Sequence, residues 1–125
     1  MAIKILLIDD STTILRIVKS YLVKEGYEVI TASDAVNALT ALGETEPDVL
    51  ITDIVMPDMD GYTLLGHIRR KKTSDALPVI VMSSKPKETM QDLFAFHDIS
   101  GFLQKPFEKD EAIQLIEKAL HERVL

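Results

Sequence analysis

The sequence predicts an α/β fold in which helices cover both faces of one parallel sheet. Short apolar runs alternate with segments of helical period five times along the chain. The runs show little alternation between apolar and polar residues, which is typical of strands buried on both faces. Strands separated by helices need crossover connections, and such connections make the strands parallel. Together these observations indicate a doubly wound, five-stranded sheet.

The first half of the chain contains three predicted strands and two predicted helices. The strands are the runs IKILLI, YEVITA and DVLIT at 3–8, 27–32 and 48–52. Apolar residues recur at helical spacing from Thr12, and Gly26 ends that first helix. A cap at Ser33 and Asp34 begins the second helix, which runs toward Gly43. The apolar stripes of the two helices are Ile14, Ile17, Val18, Tyr21 and Leu22, and then Val36, Leu39 and Leu42.

The second half continues the pattern with two more strands, PVIVMS at 78–83 and GFLQ at 101–104. A third helix at 61–72 ends in basic residues, which complement the helix dipole. A weaker helical pattern runs from about Glu88 to His97, and the last helix begins at about Lys109. The inward residues are Leu64, Leu65 and Ile68 in the third helix and Ile113, Ile116, Ala119 and Leu120 in the last.

Composition and charge exclude several classes of protein. A chain of 125 residues that is 46% hydrophobic and 27% charged fits a single domain spanning 1–125. Its net charge of −6 disfavours direct binding to nucleic acid or to an anionic membrane. The absence of cysteine excludes disulfides, thiolate catalysis and zinc-thiolate sites. The N-terminal apolar run ends at Asp9 and is too short to span a membrane, so we expect a soluble, cytoplasmic protein.

Polar residues stand at the ends of four predicted strands. Asp9 and Asp10 follow the first strand, Asp53 follows the third, Ser83 closes the fourth and Lys105 follows the fifth. Taken singly, these residues can be helix caps, partners of local backbone groups or a solvated lysine. The carboxyl ends of parallel strands meet at one edge, however, and doubly wound sheets bind ligands there. The convergence of the five residues therefore favours a functional site.

Charge limits the chemistry of such a site. Three neighbouring carboxylates repel one another, so either their pKa values rise or a cation lies among them. Oxygen ligands with room for water suit Mg²⁺. Mg²⁺ and Lys105 together can neutralise the oxygens of a phosphoryl group while an aspartate oxygen attacks in line, and Ser83 can donate a hydrogen bond to it. The predicted product is an aspartyl phosphate.

Four motifs resemble those of a known family in their order and spacing. The motifs are DDS (9–11), TDIVMPDMDGY (52–62), VMSS (81–84) and FLQKPF (102–107). They resemble the receiver domains of two-component response regulators, of the chemotaxis single-domain type, and the resemblance covers nearly the whole chain. It implies a flavodoxin-like fold with strand order 2-1-3-4-5. It also implies a domain that accepts a phosphoryl group from a sensor histidine kinase or phosphotransfer protein and is not an enzyme toward other substrates.

The resemblance assigns roles at the predicted site. Asp53 is implied to be the phosphoacceptor and Lys105 the phosphate-binding lysine, whose bond to the following proline is usually cis. Mg²⁺ is implied to bind Asp10, Asp53 and the backbone carbonyl of Val55 directly, and Asp9 through water.

The resemblance also implies a switch and an output surface. Ser83 is implied to be the switch hydroxyl and Phe102 the switch aromatic. The signal is expected on the face formed by the fourth helix, fifth strand and fifth helix, where a separate effector or a second copy of the chain binds. Phe94, Phe96 and Phe107 are either apolar anchors for that partner or core residues.

Two other functions remain open from the sequence. The first is a Mg²⁺-dependent phosphatase with an aspartyl nucleophile, but enzymes of the haloacid dehalogenase type expect a second acid where this chain has Val55. The second is a flavin or nucleotide module, but the chain lacks the glycine-rich phosphate-binding motifs, and an acidic edge repels phosphate. The motifs favour the receiver.

Overall fold

The structure contains the predicted parallel sheet. It is a computed structural model that describes residues 2–73, 76–90 and 99–122. The strands are β1 (Lys4–Ile8), β2 (Glu28–Ala32), β3 (Val49–Asp53), β4 (Val79–Ser83) and β5 (Gly101–Gln104). All neighbouring pairs are parallel, in the order β2-β1-β3-β4-β5. The predicted strands and the strand order implied by the resemblance are therefore confirmed.

The described helices are α1 (Thr12–Lys24), α2 (Ala35–Thr45), α3 (Gly61–Lys71) and the C-terminal helix (Lys109–Glu122). None of them combines the length and apolar character that a bilayer crossing requires. The structure describes only the start of the predicted fourth helix, where Lys87–Met90 form a 3₁₀ turn. The remainder, residues 91–98 with Phe94 and Phe96, lies outside the described residues.

The two faces of the sheet pack into two separate cores. Along β1, Ile5 and Leu7 belong to the core covered by α1 and the C-terminal helix, whereas Leu6 and Ile8 belong to the core covered by α2 and α3. All four side chains are fully buried. This explains why the strand sequence does not alternate, and it makes the fold doubly wound, as predicted.

The end of α1 follows its sequence signal. Gly26 has a φ of 97°, in the left-handed region that glycine tolerates best. Its N–H donates to the Val23 carbonyl at 3.0 Å, and the N–H of Tyr27 donates to the Leu22 carbonyl at 3.2 Å. These two bonds form a Schellman motif, which satisfies carbonyls that the helix end would otherwise leave without donors.

The end of α2 was predicted wrongly. The helix continues past Gly43 to Thr45, and Glu46 adopts the left-handed conformation with a φ of 48°. The N–H of Glu46 donates to the Leu42 carbonyl at 3.3 Å, so the last turn of the helix includes the glycine. Glycine weakens a helix interior by about 1 kcal/mol but does not end a helix by itself.

Two residues of the predicted apolar stripes lie on the surface. Ile17 in α1 is 55% exposed and Val36 in α2 is 61% exposed. The buried stripe of each helix is narrower than its apolar residues suggest: Leu15, Val18 and Leu22 in α1, and Ala35, Ala38 and Leu42 in α2.

Gly61 begins α3 at a close contact with the loop that follows β3. A Cβ added to Gly61 would lie 2.6 Å from the Ile54 Cβ and 2.8 Å from the Ile54 Cα and carbonyl oxygen. Real Cβ atoms do not approach backbone this closely, so a side chain here requires the loop or the helix to move. The glycine therefore allows α3 to start directly against the β3 strand end.

We predict that Gly61→Ala lowers the free energy of unfolding by about 1–3 kcal/mol, because the backbone must shift to accept the new methyl group. Gly43→Ala is the matched control, since its Cβ would meet nothing within 4 Å. In the last turn of α2 this change should raise stability by up to about 1 kcal/mol. Urea denaturation of both variants measures the difference. Equal midpoints for Gly61→Ala and the parent would contradict the close contact.

Candidate functional site

Three carboxylates meet at the carboxyl edge of the sheet. Asp9 and Asp10 follow β1, and Asp53 ends β3, the neighbouring strand. One carboxylate oxygen from each residue lies within 4.8 Å of the other two. Asp9 is fully buried and Asp53 is 7% exposed, whereas Asp10 is exposed to solvent. The structure therefore brings together the three acids that the sequence placed at strand ends.

Lys105 joins two of these carboxylates. Its Nζ donates to Asp9 Oδ2 at 2.7 Å and to Asp53 Oδ2 at 2.8 Å. Its backbone N–H donates to the Ser83 carbonyl at 2.7 Å, and its bond to Pro106 is cis, as the resemblance implies. Lys105, the residue that follows β5, thus contacts residues at the ends of β1, β3 and β4.

Both effects predicted for neighbouring carboxylates are present: a raised pKa, at Asp9, and a cation among the acids, the Lys105 ammonium. Burial raises the pKa of Asp9, while hydrogen bonds from Lys105 and the Ser11 N–H lower it in part. For Lys105, burial by itself lowers the pKa, but the hydrogen bonds to Asp53 and Asp9 outweigh burial and hold the pKa above its ordinary value. The lysine therefore stays a cation between two acids.

The second oxygen of each buried carboxylate faces the backbone. Asp9 Oδ1 accepts the Ser11 N–H at 2.9 Å, and Asp53 Oδ1 accepts the Val55 N–H at 3.0 Å. Each of these aspartates is thus oriented by Lys105 on one oxygen and by a backbone N–H on the other. The helix cap in the DDS motif is Ser11, whose Oγ accepts the Ile14 N–H at 3.3 Å. Neither Asp9 nor Asp10 is therefore the N-cap residue of α1.

Ser83 lies one strand from Asp53. Asp53 pairs with Met82, the residue before Ser83 in β4. Ser83 is 1% exposed, and its Oγ accepts the Lys85 N–H at 3.0 Å. A hydroxyl that accepts one bond keeps its own O–H for donation. Phe102, on β5, is half-buried and packs against the core that α2 and α3 cover.

Sequence reasoning missed Asp58, in the loop between β3 and α3. Its Oδ1 accepts the Ala35 N–H at 3.0 Å, and its Oδ2 accepts the Val36 N–H at 3.1 Å, so it caps α2 from a distant part of the chain. The hydrogen bond from the Ala35 N–H is the main cause that lowers the pKa of Asp58. No local pattern signals this contact, because the partners are 23 and 22 residues apart in sequence.

An apolar cavity of about 380 Å³ adjoins the acidic cluster on the α1 side. Lys105 and the residues after it form one wall, and Ile14, Ile17 and Tyr21 of α1 form the other. Phe107 also lines the cavity and is half-buried against the core beneath α1. The site therefore has an acidic centre with an apolar surface directly beside it.

The donor set fits a small, hard divalent cation. It offers carboxylate oxygens only, one of its acids is open to solvent, and neither sulfur nor imidazole is among the clustered ligands. Mg²⁺ prefers oxygen ligands of this kind and retains several waters, which an exposed acid such as Asp10 permits.

Comparison with known proteins agrees with this geometry. Residues 5–117 match the family model described as the response regulator receiver domain. The chain is 36% identical to protein PilG of Pseudomonas aeruginosa over 114 residues, which is 91% of this chain and 84% of that protein. It is 35% identical to the chemotaxis protein CheY of Bacillus subtilis, over 97% of this chain and all of that protein. It spans 50% of the transcriptional regulatory protein KdpE of Mycobacterium tuberculosis, at 40% identity.

A solved structure shares the fold closely. The chemotaxis response regulator CheY4 of Vibrio cholerae superposes with a TM-score of 0.88 at 30% identity, covering 96% of this chain and all of that one. The sheet order, the position of the acidic cluster and the family match lead to the same assignment. The chain belongs to the response regulator receiver domain family.

Proposed function

We propose that Asp53 accepts a phosphoryl group in a Mg²⁺-dependent reaction and that the domain, 1–125, signals through the change of shape that follows. Members of this family are signalling domains that work with histidine kinases and effectors rather than enzymes acting on a separate substrate. The observation that carries the proposal is the Lys105 ammonium bonded to both Asp9 and Asp53, with Asp10 exposed beside them.

Asp53, Lys105 and Ser83 have different roles in the proposed phosphoryl transfer. An oxygen of Asp53 attacks phosphorus in line, and the new O–P bond forms as the P–N bond of a phosphohistidine breaks, with the leaving imidazole taking a proton. Lys105 shifts from the carboxylates toward a phosphoryl oxygen and neutralises it. Ser83 donates its O–H to another phosphoryl oxygen.

A bound Mg²⁺ would neutralise charge on the carboxylates and on the phosphoryl group. Asp10, Asp53 and the backbone carbonyl of Val55 would hold it directly, and Asp9 would hold it through water. The support is that Asp10 is exposed while Asp9 is buried against Lys105. The Val55 peptide lies beside Asp53, because its N–H already donates to that carboxylate.

The phosphodonor is a sensor histidine kinase or a phosphotransfer protein. Its histidine must come within bonding distance of Asp53, so its docking surface has to adjoin the acidic cluster. The apolar cavity beside Lys105, with the 55% exposed Ile17 at its wall, is a described surface that satisfies this requirement. We therefore place the donor over α1 and the segment after β5.

The signal leaves through the face made by the predicted fourth helix, β5 and the C-terminal helix. A phosphoryl group on Asp53 draws Ser83 and its loop toward the site, and the Phe102 ring turns into the space that opens. An effector protein or a second copy of the chain that prefers this arrangement shifts the same equilibrium. A cytoplasmic location fits this role and remains a prediction.

The alternative of an aspartyl phosphatase gains no support from the site. The second acid that such an enzyme needs would stand at Val55, whose side chain is 59% exposed and apolar.

The phosphorylation site is tested by incubating the protein with Mg²⁺ and acetyl phosphate. We predict one phosphoryl group per chain, stable in acid and labile to base and hydroxylamine, on Asp53. Asp53→Ala should lose the label, and the matched control Asp34→Ala, which removes a carboxylate outside the acidic cluster, should keep it. Undiminished labelling of Asp53→Ala, or labelling that persists after divalent cations are chelated, would overturn the assignment.

The switch is tested with beryllofluoride, which mimics a phosphoryl group. We predict that Ser83→Ala still binds beryllofluoride at Asp53 but fails to change the amide NMR shifts across residues 87 to 120. Ser84→Ala removes the same hydroxyl from the exposed neighbouring residue and should respond as the parent does. If Ser83→Ala shows the full set of shifts of the parent, Ser83 does not couple the site to the output face.

A further inference from the structure

The loop between β3 and α3, residues 54–60, is fixed at its base by backbone contacts. An isolated antiparallel bridge pairs Val55 with Asp60, and the Gly61 N–H donates to the Ile54 carbonyl at 2.9 Å. Asp60 also caps α3, because its Oδ1 accepts the Thr63 N–H at 2.9 Å. These contacts close the loop onto α3, but none of them reaches another helix.

The far part of the loop is tied to α2 through Asp58. The first N–H groups of a helix have no partner inside the helix. In α2 they are shared between two carboxylates: Asp34 accepts the Asn37 N–H at 2.7 Å, and Asp58 accepts those of Ala35 and Val36. Two bonds to consecutive N–H groups fix the direction of the Asp58 carboxylate as well as its position.

The start of α2, to which Asp58 is bonded, is packed into the core. Ala35 is fully buried and Ala38 and Leu42 are each 2% exposed, all in one core with Met56 of the loop. By contrast, Val55 is 59% exposed, so packing of its side chain does little to fix the orientation of its peptide group. The orientation of that peptide depends instead on the bonds made at either end of the loop.

We propose that Asp58 is a positioning residue for the metal site: its bonds to the start of α2 hold the loop so that the Val55 carbonyl faces the acidic cluster. The inference rests on the proposed function, because it assumes that Val55 and Asp10 bind Mg²⁺. Without the two Asp58 bonds, only a fraction of the protein molecules has the Val55 carbonyl in the binding orientation. The apparent Mg²⁺ affinity is then reduced to that fraction of its full value. Asp58 contacts neither Mg²⁺ nor the phosphoryl group in this scheme.

The test compares the Mg²⁺ affinity of the parent with that of four variants of the full chain. Binding is measured from the amide NMR shifts of residues 9 to 11 and 53 to 60 as Mg²⁺ is added. Asp58→Ala should weaken Mg²⁺ binding by about tenfold, as loss of groups that orient metal ligands generally does. Asp58→Asn keeps one acceptor oxygen and should fall between Asp58→Ala and the parent. Asp10→Asn, which removes a proposed ligand, should bind no Mg²⁺ in the same range.

Asp34→Ala is the matched control for a purely structural role. It removes a carboxylate that caps the same helix, with a similar loss of negative charge, but the Asp34 carboxylate accepts its hydrogen bonds from Asn37 of the same helix. Both alanine variants should lower the urea midpoint, whereas only Asp58→Ala should weaken Mg²⁺ binding. Hydrogen exchange of the Ala35 and Val36 amides should accelerate in Asp58→Ala.

The outcomes separate the two claims. If the parent binds no Mg²⁺, or Asp10→Asn binds it as the parent does, the proposed metal site is wrong. If the parent binds Mg²⁺ and Asp58→Ala binds it as tightly as Asp34→Ala, the positioning role of Asp58 is wrong. Should Asp58→Ala fail to fold, parental affinity in Asp58→Asn would overturn the positioning role in the same way.

Discussion

The bonds from Lys105 to Asp9 and Asp53 are the constraint on which the site depends. Asp9 is fully buried, and an isolated buried carboxylate costs several kcal/mol unless it is paired and hydrogen-bonded. Lys105 supplies the pairing for two strand ends at once, and its backbone N–H also contacts Ser83. The residue that makes burial of the acids tolerable is therefore the same cation that the proposed function assigns to a phosphoryl oxygen. Under that proposal, stability and chemistry use the same contact.

The rest of the fold makes that contact possible. Both faces of the sheet pack into apolar cores, and the charged residues of the strands, Lys4, Glu28 and Asp53, stand at strand ends. The three clustered acids and Lys105 lie at the carboxyl edge, which is where parallel sheets bind ligands. The helices around the site begin at capped ends, with Ser11 at α1, Asp34 and Asp58 at α2 and Asp60 at α3. Capped helix starts give the loops fixed endpoints, which the proposed binding of a metal and a phosphoryl group would require.

Signals that lie close together in sequence predicted most of this. The unalternating strands, Gly26 and the acids at strand ends each carry their meaning locally, and all appear where expected. The predictions that failed concern residues whose local signal is weaker than that of a neighbour, and the contact that was missed joins residues far apart in sequence. Gly43 is a weak stop that α2 overrides, and Ile17 and Val36 are apolar residues beside a stripe that Leu15 and Ala35 fill better. The Asp58 contact to α2 could not be predicted, because it depends on how two distant segments pack.

The central claim is that the acids and Lys105 form one centre for phosphoryl transfer to Asp53. A crystal structure with Mg²⁺ and beryllofluoride tests it most directly. The account predicts beryllium bonded to an Asp53 oxygen, Mg²⁺ held by Asp10, Asp53 and the Val55 carbonyl, and the Lys105 ammonium moved from Asp53 to a fluorine. Beryllium on Asp9 or Asp10, or Mg²⁺ bound away from Asp10, would contradict it.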